Sequence, residues 1–599
     1  MTETGLLSII YPVILSLVAG LPLLVAVRCC LPAVRKLKAG WNLLPWTTVP
    51  ALLAGLVIPD DVVVRVPWFF MGGVMGLDGT GRIFLFITAV IWLLAALTVR
   101  EEFRNRQGER RFSAYFLVAM AGNLGLIVAR DMLGFYLFFA IMSFAAYGLI
   151  NHYHTPESRR AGRIYLILVM VSEVAMFTAL VLISFQAQSR SFSDIADISL
   201  SLPALLLLFI AFGVKVGALP FQAWMPPAYQ QTPIPGATAL AGAMANAGIL
   251  GWLRFIPLGY MVSGSGALLF ITAGGLVAIY GVIYGLGQRK AGAVLGSSSM
   301  SQMGLMTIVV GLGLLSREGG EYAVYLLPLY AVHHSLAKGS LFLGYGVIER
   351  GGRLARPLLL AGLLLASLSL AGLPLTSGAV VKTGLKELAQ VSGGSWYALG
   401  RVFLPVSSLG TTVLMLHFCR LFWRKRPAGT GQKVLILPWL AALAGSVFCL
   451  WMWPVAHRLG RHSLDPSLIL HSFWPVAAGT GLFLLWFILP DGFRKRAGDL
   501  FPGACPEEEL LTARSSAPTP VRCVKVVDQL STPVKKFLAG AENFYQSLDT
   551  SWFGKWLALS PSSPLGARLR KPEKVLGRWS VVGFFYLAVC ITLLFLFKL

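Results

Sequence analysis

Long apolar runs, broken by short basic segments, organise almost the whole chain. Runs of about 20 mainly apolar residues, enough to cross a bilayer, lie near 5–27, 42–58, 82–99, 113–129, 131–150, 163–185, 203–220, 235–255, 266–286, 292–314, 322–347, 357–388, 401–422, 434–453, 472–489 and 579–597. The pattern predicts an all-α polytopic membrane protein with about 14–16 transmembrane helices. Residues 490–578 interrupt it. They hold Ser515-Ser516-Ala517-Pro518 and Ser560-Pro561-Ser562-Ser563-Pro564 around a segment that mixes Val526, Leu530, Val534 and Phe537 with Lys525, Lys535 and Lys536. That segment reads as one or two amphipathic helices at the membrane interface. Two spans carry Gly/Pro interruptions, Gly217-Ala218-Leu219-Pro220 and Ala371-Gly372-Leu373-Pro374, each with a lysine nearby, Lys215 and Lys382. Interrupted spans at matching places predict structural repeats with broken helices that line a cavity.

Composition agrees with this pattern. The 599 residues are 56% hydrophobic and 13% charged, about half the charge usual in a soluble domain. The net charge of +24 would suit a nucleic-acid binder, but its placement excludes that class. The basic residues concentrate on alternate loops: Arg28 to Lys38, Arg100 to Arg111, Arg159 to Arg163, Arg289-Lys290, Arg350 to Arg356, Arg420 to Arg426 and Arg494 to Arg496. The intervening loops hold scattered basics such as Arg190, Arg317, Arg458 and Arg461. By the positive-inside rule the N-terminus is expected outside a cell inner membrane and residues 490–578 in the cytoplasm. No cleaved signal peptide is expected, because the start lacks a basic region and a small-residue cleavage site. The seven cysteines, 29, 30, 419, 449, 505, 523 and 590, show no metal-ligand spacing, so no metal site is expected.

Charges within spans cost about 2.5–3.5 kcal/mol each on insertion scales and mark function or pairing. The candidates are Glu173, Lys215, His333, His334, Lys338, Lys382 and the pair Lys386-Glu387. His334 and Lys338 are four apart and share a helix face. Burial weakens a lysine's hold on its proton, a neighbouring charge moves it either way, and histidine relays protons near neutrality. Together these residues make a workable proton wire.

The stretch Gly213-Val214-Lys215-Val216-Gly217-Ala218-Leu219-Pro220-Phe221-Gln222-Ala223-Trp224-Met225-Pro226-Pro227-Ala228-Tyr229, followed by Thr232-Pro233-Ile234-Pro235, resembles the K-x-P-x-H-x-W-L-P-x-A-H-x-x-A-P stretch of the antiporter-like subunits of respiratory complex I, Mrp antiporters and membrane-bound [NiFe] hydrogenases. Ser298-Ser299-Met300-Ser301-Gln302-Met303-Gly304, His334-Ser335-Leu336-Ala337-Lys338-Gly339-Ser340-Leu341-Phe342 and Gly372-Leu373-Pro374-Leu375 extend the resemblance, which covers roughly residues 75–425.

The resemblance implies two inverted five-helix repeats, with the seventh and twelfth helices broken. Together with the apolar runs it divides the chain into N-terminal helices (1–112), a first half-channel (113–255), a second half-channel (266–422), additional helices (434–489), the interfacial segment (490–578) and a last helix (579–597). Carried over, Lys215 is the central proton site of the first half. His334 and Lys338 are the relay of the second, and Lys382 is its terminal residue. His333, Asn246, Ser301 and Gln302 are accessory, Asn246 standing where the family has a lysine or polar residue.

The chain also departs from the family. The helix-five pattern F-W-E-L-M-S reads Phe138-Phe139-Ala140-Ile141-Met142-Ser143, so the expected glutamate is Ala140, and the usual histidine after the helix-seven proline is Gln222. Glu173, on the next helix, is the candidate substitute for that acid.

The implied function is proton translocation by a membrane subunit of a complex-I-like oxidoreductase, such as a hydrogenase, formate hydrogenlyase or NADH:quinone oxidoreductase. The alternatives are a Mrp-type sodium/proton antiporter subunit and an inorganic-carbon uptake subunit. No cofactor motif is present, neither a cysteine cluster nor G-x-G-x-x-G after a strand. Iron–sulfur, NiFe, flavin or quinone groups are therefore expected only in partner subunits, namely other membrane subunits and a peripheral redox arm.

Overall fold

The computed structural model describes residues 3–30, 43–60, 62–66, 72–103, 108–349, 356–393, 396, 399–423 and 436–488, all within the unit Met1–Glu507. The expected segments 490–578 and 579–597 lie outside these residues. In lipid, each backbone polar group needs a partner within its own segment, and apolar runs therefore become helices. All fifteen expected spans up to residue 489 meet helix.

In chain order the helices begin with α1 (Glu3–Cys30), α2 (Val49–Val57), α3 (Gly79–Glu102), α4 (Glu109–Val128), α5 (Met132–Ile150) and α6 (Pro156–Ala187). There follow α7 (Phe192–Ile195), α8 (Leu202–Val216), α9 (Met225–Gln231), α10 (Ile234–Ala239), α11 (Asn246–Phe255) and α12 (Gly264–Leu286). The series continues with α13 (Ala291–Gly313), α14 (Arg317–Glu349), α15 (Arg356–Ala371) and α16 (Ser377–Val391). It ends with α17 (Leu404–Trp423), α18 (Ile436–Met452), α19 (His457–His462) and α20 (Pro466–Ile488). Among the described residues ten helices are long and apolar enough to span a membrane, or eleven if α18 and the bent segment after it count as one. The other expected spans are shorter or broken helices, or carry more charge.

The ends of the spans are set by local chemistry. Asp78, Asp131, Thr155 and Ser263 cap α3, α5, α6 and α12, their side-chain oxygens accepting from the N–H of Gly81, Gly134, Ser158 and Gly266. Each cap satisfies a donor that the first helical turn leaves free. One non-helical feature was not expected: an antiparallel hairpin of β1 (Val63–Val66) and β2 (Gly73–Gly76). It docks on the α4–α5 turn, where Val74 N–H donates to Asp131 and Arg130 N–H donates to the Val74 carbonyl. Beside it Asp78 pairs with Arg130 at 2.5 Å and with Arg254 at the end of α11. Burial works to raise the Asp78 carboxyl, but Arg254 and Arg130, with the Gly81 N–H, outweigh it and hold the group below the usual carboxylate range.

The core runs through α10, α11, α13 and the middle of α14. Helix α13 is buried along its whole length. Its many small residues allow close packing, the usual source of helix association where lipid removes the hydrophobic drive. At Gly274 of α12 and Gly304 of α13 the backbones approach so closely that neither position has room for a Cβ.

Candidate functional site

The two interrupted spans break by the same backbone device. In the first, Gly217 adopts φ +74°, its N–H donates to the Val214 carbonyl at 3.3 Å, and the Ala218 N–H reaches back to Gly213 at 2.8 Å. In the second, Gly372 adopts φ +93°, its N–H donates to Ser369 at 3.0 Å, and Leu373 N–H reaches back to Leu368 at 2.9 Å. This is the glycine-terminated helix end that satisfies stranded carbonyls. The breaks therefore pair residue for residue: Gly217 with Gly372, Ala218 with Leu373, Phe221 with Thr376. On that pairing Lys215 matches Leu370 and Lys382 matches Pro227, so the two lysines are not equivalents.

Lys215 lies in the last turn of α8 and is buried. Its Nζ donates to the Tyr165 hydroxyl at 3.0 Å and to Ser143 Oγ at 3.4 Å. It also sits over the rings of Phe139 and Tyr165. The Tyr165 hydroxyl in turn donates to the Ser143 carbonyl at 3.0 Å. Lys215 thus meets α5 at residues 139 and 143, the turn that holds Ala140. Nearby, Trp224 Nε1 donates to the Val214 carbonyl at 2.7 Å and covers the broken end.

Glu173 belongs to the buried stripe of α6. Ser172 beside it donates to the Ala211 carbonyl of α8 at 2.6 Å. The Glu173 carboxylate lies beside Ser143, the side chain that Lys215 also reaches, and its charge and that of Lys215 act on each other.

Asn246 joins the halves. Its Nδ2 donates to Ser335 Oγ on α14 at 2.7 Å and to the Gly242 carbonyl at 3.3 Å. Ser335 lies between His334 and Leu336, so the contact puts the first half against the helix of the second-half relay. His334 is fully buried and neither ring nitrogen has a protein hydrogen-bond partner. Lys338, one turn on, donates to the Leu295 carbonyl at 2.9 Å and to Ser298 Oγ at 2.7 Å on α13.

The two histidines divide between the two lysines. His334 is coupled to the charge of Lys338, and His333 to that of Lys382. His333 Nε2 lies against Gly378 in the first turn of α16. Lys382 folds back across its own break: Nζ donates to the Ala371 carbonyl at 2.5 Å and to Ser408 Oγ on α17 at 2.7 Å.

Of the remaining accessory residues, Gln302 is fully bridged. Tyr330 donates to its Oε1 at 3.0 Å, and its Nε2 donates to Thr411 at 3.3 Å. Ser301 is buried with an unpartnered hydroxyl. Thr411 and Ser408 are three apart on α17, so one helix face carries the partners of both Gln302 and Lys382. Tyr165, Tyr330, Ser408 and Thr411 were not singled out in the sequence. The one readable signal was the hydroxyl pattern Ser407-Ser408 and Thr411-Thr412 within a span.

Comparison with known proteins places this arrangement. Residues 129–404 match the sequence model described as NADH:quinone oxidoreductase/Mrp antiporter, transmembrane region. The chain is 27% identical over 353 residues to mnhA2 of Staphylococcus haemolyticus, covering 54% of this chain and 44% of that one. It is 25% identical over 483 residues to Hydrogenase-4 component B of Escherichia coli, covering 69% and 71%. In structure it is similar to a chain of the Mrp complex from Dietzia sp., with TM-score 0.66 and 20% identity over 91% of this chain and 60% of that one. The chain thus spans less than half of the mnhA2 relative's length. These relatives are components of multisubunit membrane assemblies. Residues 129–404 thus resemble the transmembrane region of NADH:quinone oxidoreductase and Mrp antiporter subunits, and the chain has the multi-pass, all-α fold of such membrane subunits.

Proposed function

We propose that this chain is the proton-translocating membrane subunit of a complex-I-like oxidoreductase, such as a hydrogenase, formate hydrogenlyase or NADH:quinone oxidoreductase. The observation that carries this reading is how the three ammonium groups within the spans are held. Lys215, Lys338 and Lys382 each donate to hydroxyl or carbonyl oxygens. A carboxylate clasped to an ammonium would lock its proton. Hydroxyl and carbonyl acceptors serve a neutral amine as well, because it keeps two N–H bonds to donate. Each lysine can therefore change charge without losing its place.

In this reading Lys215 with Glu173 forms the first half, and Lys338, His334, His333 and Lys382 the second, linked through Asn246 and Ser335. Glu173 supplies the carboxylate absent at Ala140. Electron transfer belongs to partner subunits, whose motions or charges would shift the lysines' proton affinities. The chain lies in the cell inner membrane, N-terminus outside, with 490–578 in the cytoplasm.

The test is proton movement in inverted membrane vesicles holding the intact complex, driven by its electron donor. Lys338→Ala should cut the acidification rate about tenfold or more while assembly holds; an unchanged rate would sink the reading. The likeness to the putative antiporter subunit mnhA2 supports a second reading, sodium/proton exchange. Sodium-dependent proton movement with no electron donor would select it.

A further inference from the structure

Helix α16 continues past Lys382 to a second charged group. Glu387 is five residues on, about 7.5 Å along the helix axis and about 140° round it. Both of its carboxylate oxygens are engaged. The Tyr322 hydroxyl, near the start of α14, donates to Oε2 at 2.5 Å. His462 Nδ1, at the end of α19, pairs with Oε1. The other nitrogen of His462 is 3.4 Å from Asp465 Oδ2. Exposure rises along this series: the side chain of Glu387 is 16% exposed, His462 46% and Asp465 57%.

The surrounding fold holds α19 in this position. Leu459 packs on Gly384, where a Cβ would stand 3.3 Å from it. Tyr325 donates to the Val455 carbonyl at 2.8 Å. Around the pair stand Tyr322 and Tyr325 of α14, Arg458 of α19 and Asp465, with Lys386 next to Glu387 and Arg461 next to His462 in sequence.

We infer that Glu387 and His462 form a proton relay between Lys382 and the adjoining aqueous surface. This rests on the proton-translocation reading above. A proton leaves Lys382 Nζ, which becomes neutral, and reaches the Glu387 carboxylate by way of water. Glu387 passes it to the lone pair on His462 Nδ1. The imidazolium then releases a proton from Nε2 to water, with Asp465 beside it. Glu387 and His462 return to their starting charges, the ring recovers its starting tautomer by proton exchange with water, and one proton has crossed from the lysine to the surface. An imidazole has two ring nitrogens, so it can take a proton at one and give up a proton from the other. Its place at the half-exposed end of the series suits hand-over to water. A plain ion-pair clasp would use the same two residues but would not need the histidine to titrate.

Replacing His462 with arginine separates the two roles, because arginine keeps a positive partner for Glu387 but does not deprotonate. The experiment measures proton movement by the intact complex in inverted vesicles, over pH 5 to 8 on the side facing α19. His462→Arg should slow it about fivefold and flatten the pH profile, with thermal stability unchanged. Glu387→Gln should slow it similarly. Wild-type rate and profile in His462→Arg would overturn the relay and leave a clasp. If that variant fails to assemble, Glu387→Gln decides: wild-type rate overturns the relay, and a slowed rate with a flattened profile supports it. Lys338→Ala is run alongside. If it too retains the wild-type rate, the translocation reading fails; if it alone is impaired, only the relay fails.

Discussion

The Lys215 ammonium and the Tyr165 hydroxyl are hydrogen-bonded at 3.0 Å, and the same hydroxyl donates to the Ser143 carbonyl. The phenol thus fixes the lysine on α8 to the helix-five turn from across α6. Removing the hydroxyl would leave Nζ with only the 3.4 Å contact to Ser143 Oγ. Tyr165→Phe should therefore lower proton movement about tenfold, equivalent to roughly 1.4 kcal/mol, with the complex still assembled. Lys215→Ala should abolish it. Dye-monitored acidification of inverted vesicles measures both, and wild-type rates in Tyr165→Phe would remove the phenol from the pathway.

Glu173 is the acid nearest in role to the one missing at Ala140. Its buried carboxylate lies beside Ser143 and is electrostatically coupled to Lys215. Burying a carboxylate is costly, and such a residue in a span is a functional candidate by default. Glu173→Gln should therefore stop proton movement as completely as Lys215→Ala. Normal pumping in the Gln variant would show that the first half works without a carboxylate.

The two breaks make a stability prediction. Gly372 has φ +93°, and a Cβ there would come within 2.7 Å of the Lys382 stem. Gly217 has φ +74°, and a Cβ would meet the Met225 sulfur at 2.8 Å. Alanine at either site should cost about 1–3 kcal/mol in strain and crowding. Gly264, at the start of α12, has open space around it, so Gly264→Ala should be close to neutral. Thermal denaturation of the purified complex would compare the three, and equal melting temperatures would contradict the strain at the breaks.

The spans, the breaks and the lysines were legible in the sequence because lipid leaves the backbone few choices. An apolar run must become a helix, and a Gly/Pro interruption or a charge within one must be compensated. What was not legible depends on packing. Tyr165 resembles any aromatic residue in a span until α6 turns it toward Lys215. Thr411 and Thr412 bond the carbonyls of their own helix four residues back, so their sequence pattern alone does not show a shared polar face. Adjacent His333 and His334 point about 100° apart on a helix, and only the placement of α16 assigns His333 to Lys382. The Asn246–Ser335 bridge joins residues 89 apart in sequence. The hairpin at 63–76 was too short and too mixed in character to stand out.

His152 yields a pH prediction that does not depend on transport. It lies in the turn between α5 and α6, buried among the rings of Phe103, Phe112 and Tyr153, and its Nδ1 has no hydrogen-bond partner. Burial, with Arg111 and His154 nearby, lowers it to about 4. An unfolded chain would bind this proton near pH 6.5. Between those values the unfolded state holds more protons than the folded one, so stability rises with pH. The contribution is complete above about pH 6.5 and is lost as pH falls toward 4. Lowering the pH from 7.5 to 5 should cost the wild type roughly 1–2 kcal/mol through this group. His152→Phe keeps an aromatic ring in the cluster and removes the titration, so its melting temperature should fall less over the same range. Melting curves of both proteins in detergent at the two pH values measure the difference. An equal fall in both would assign the pH dependence to another group.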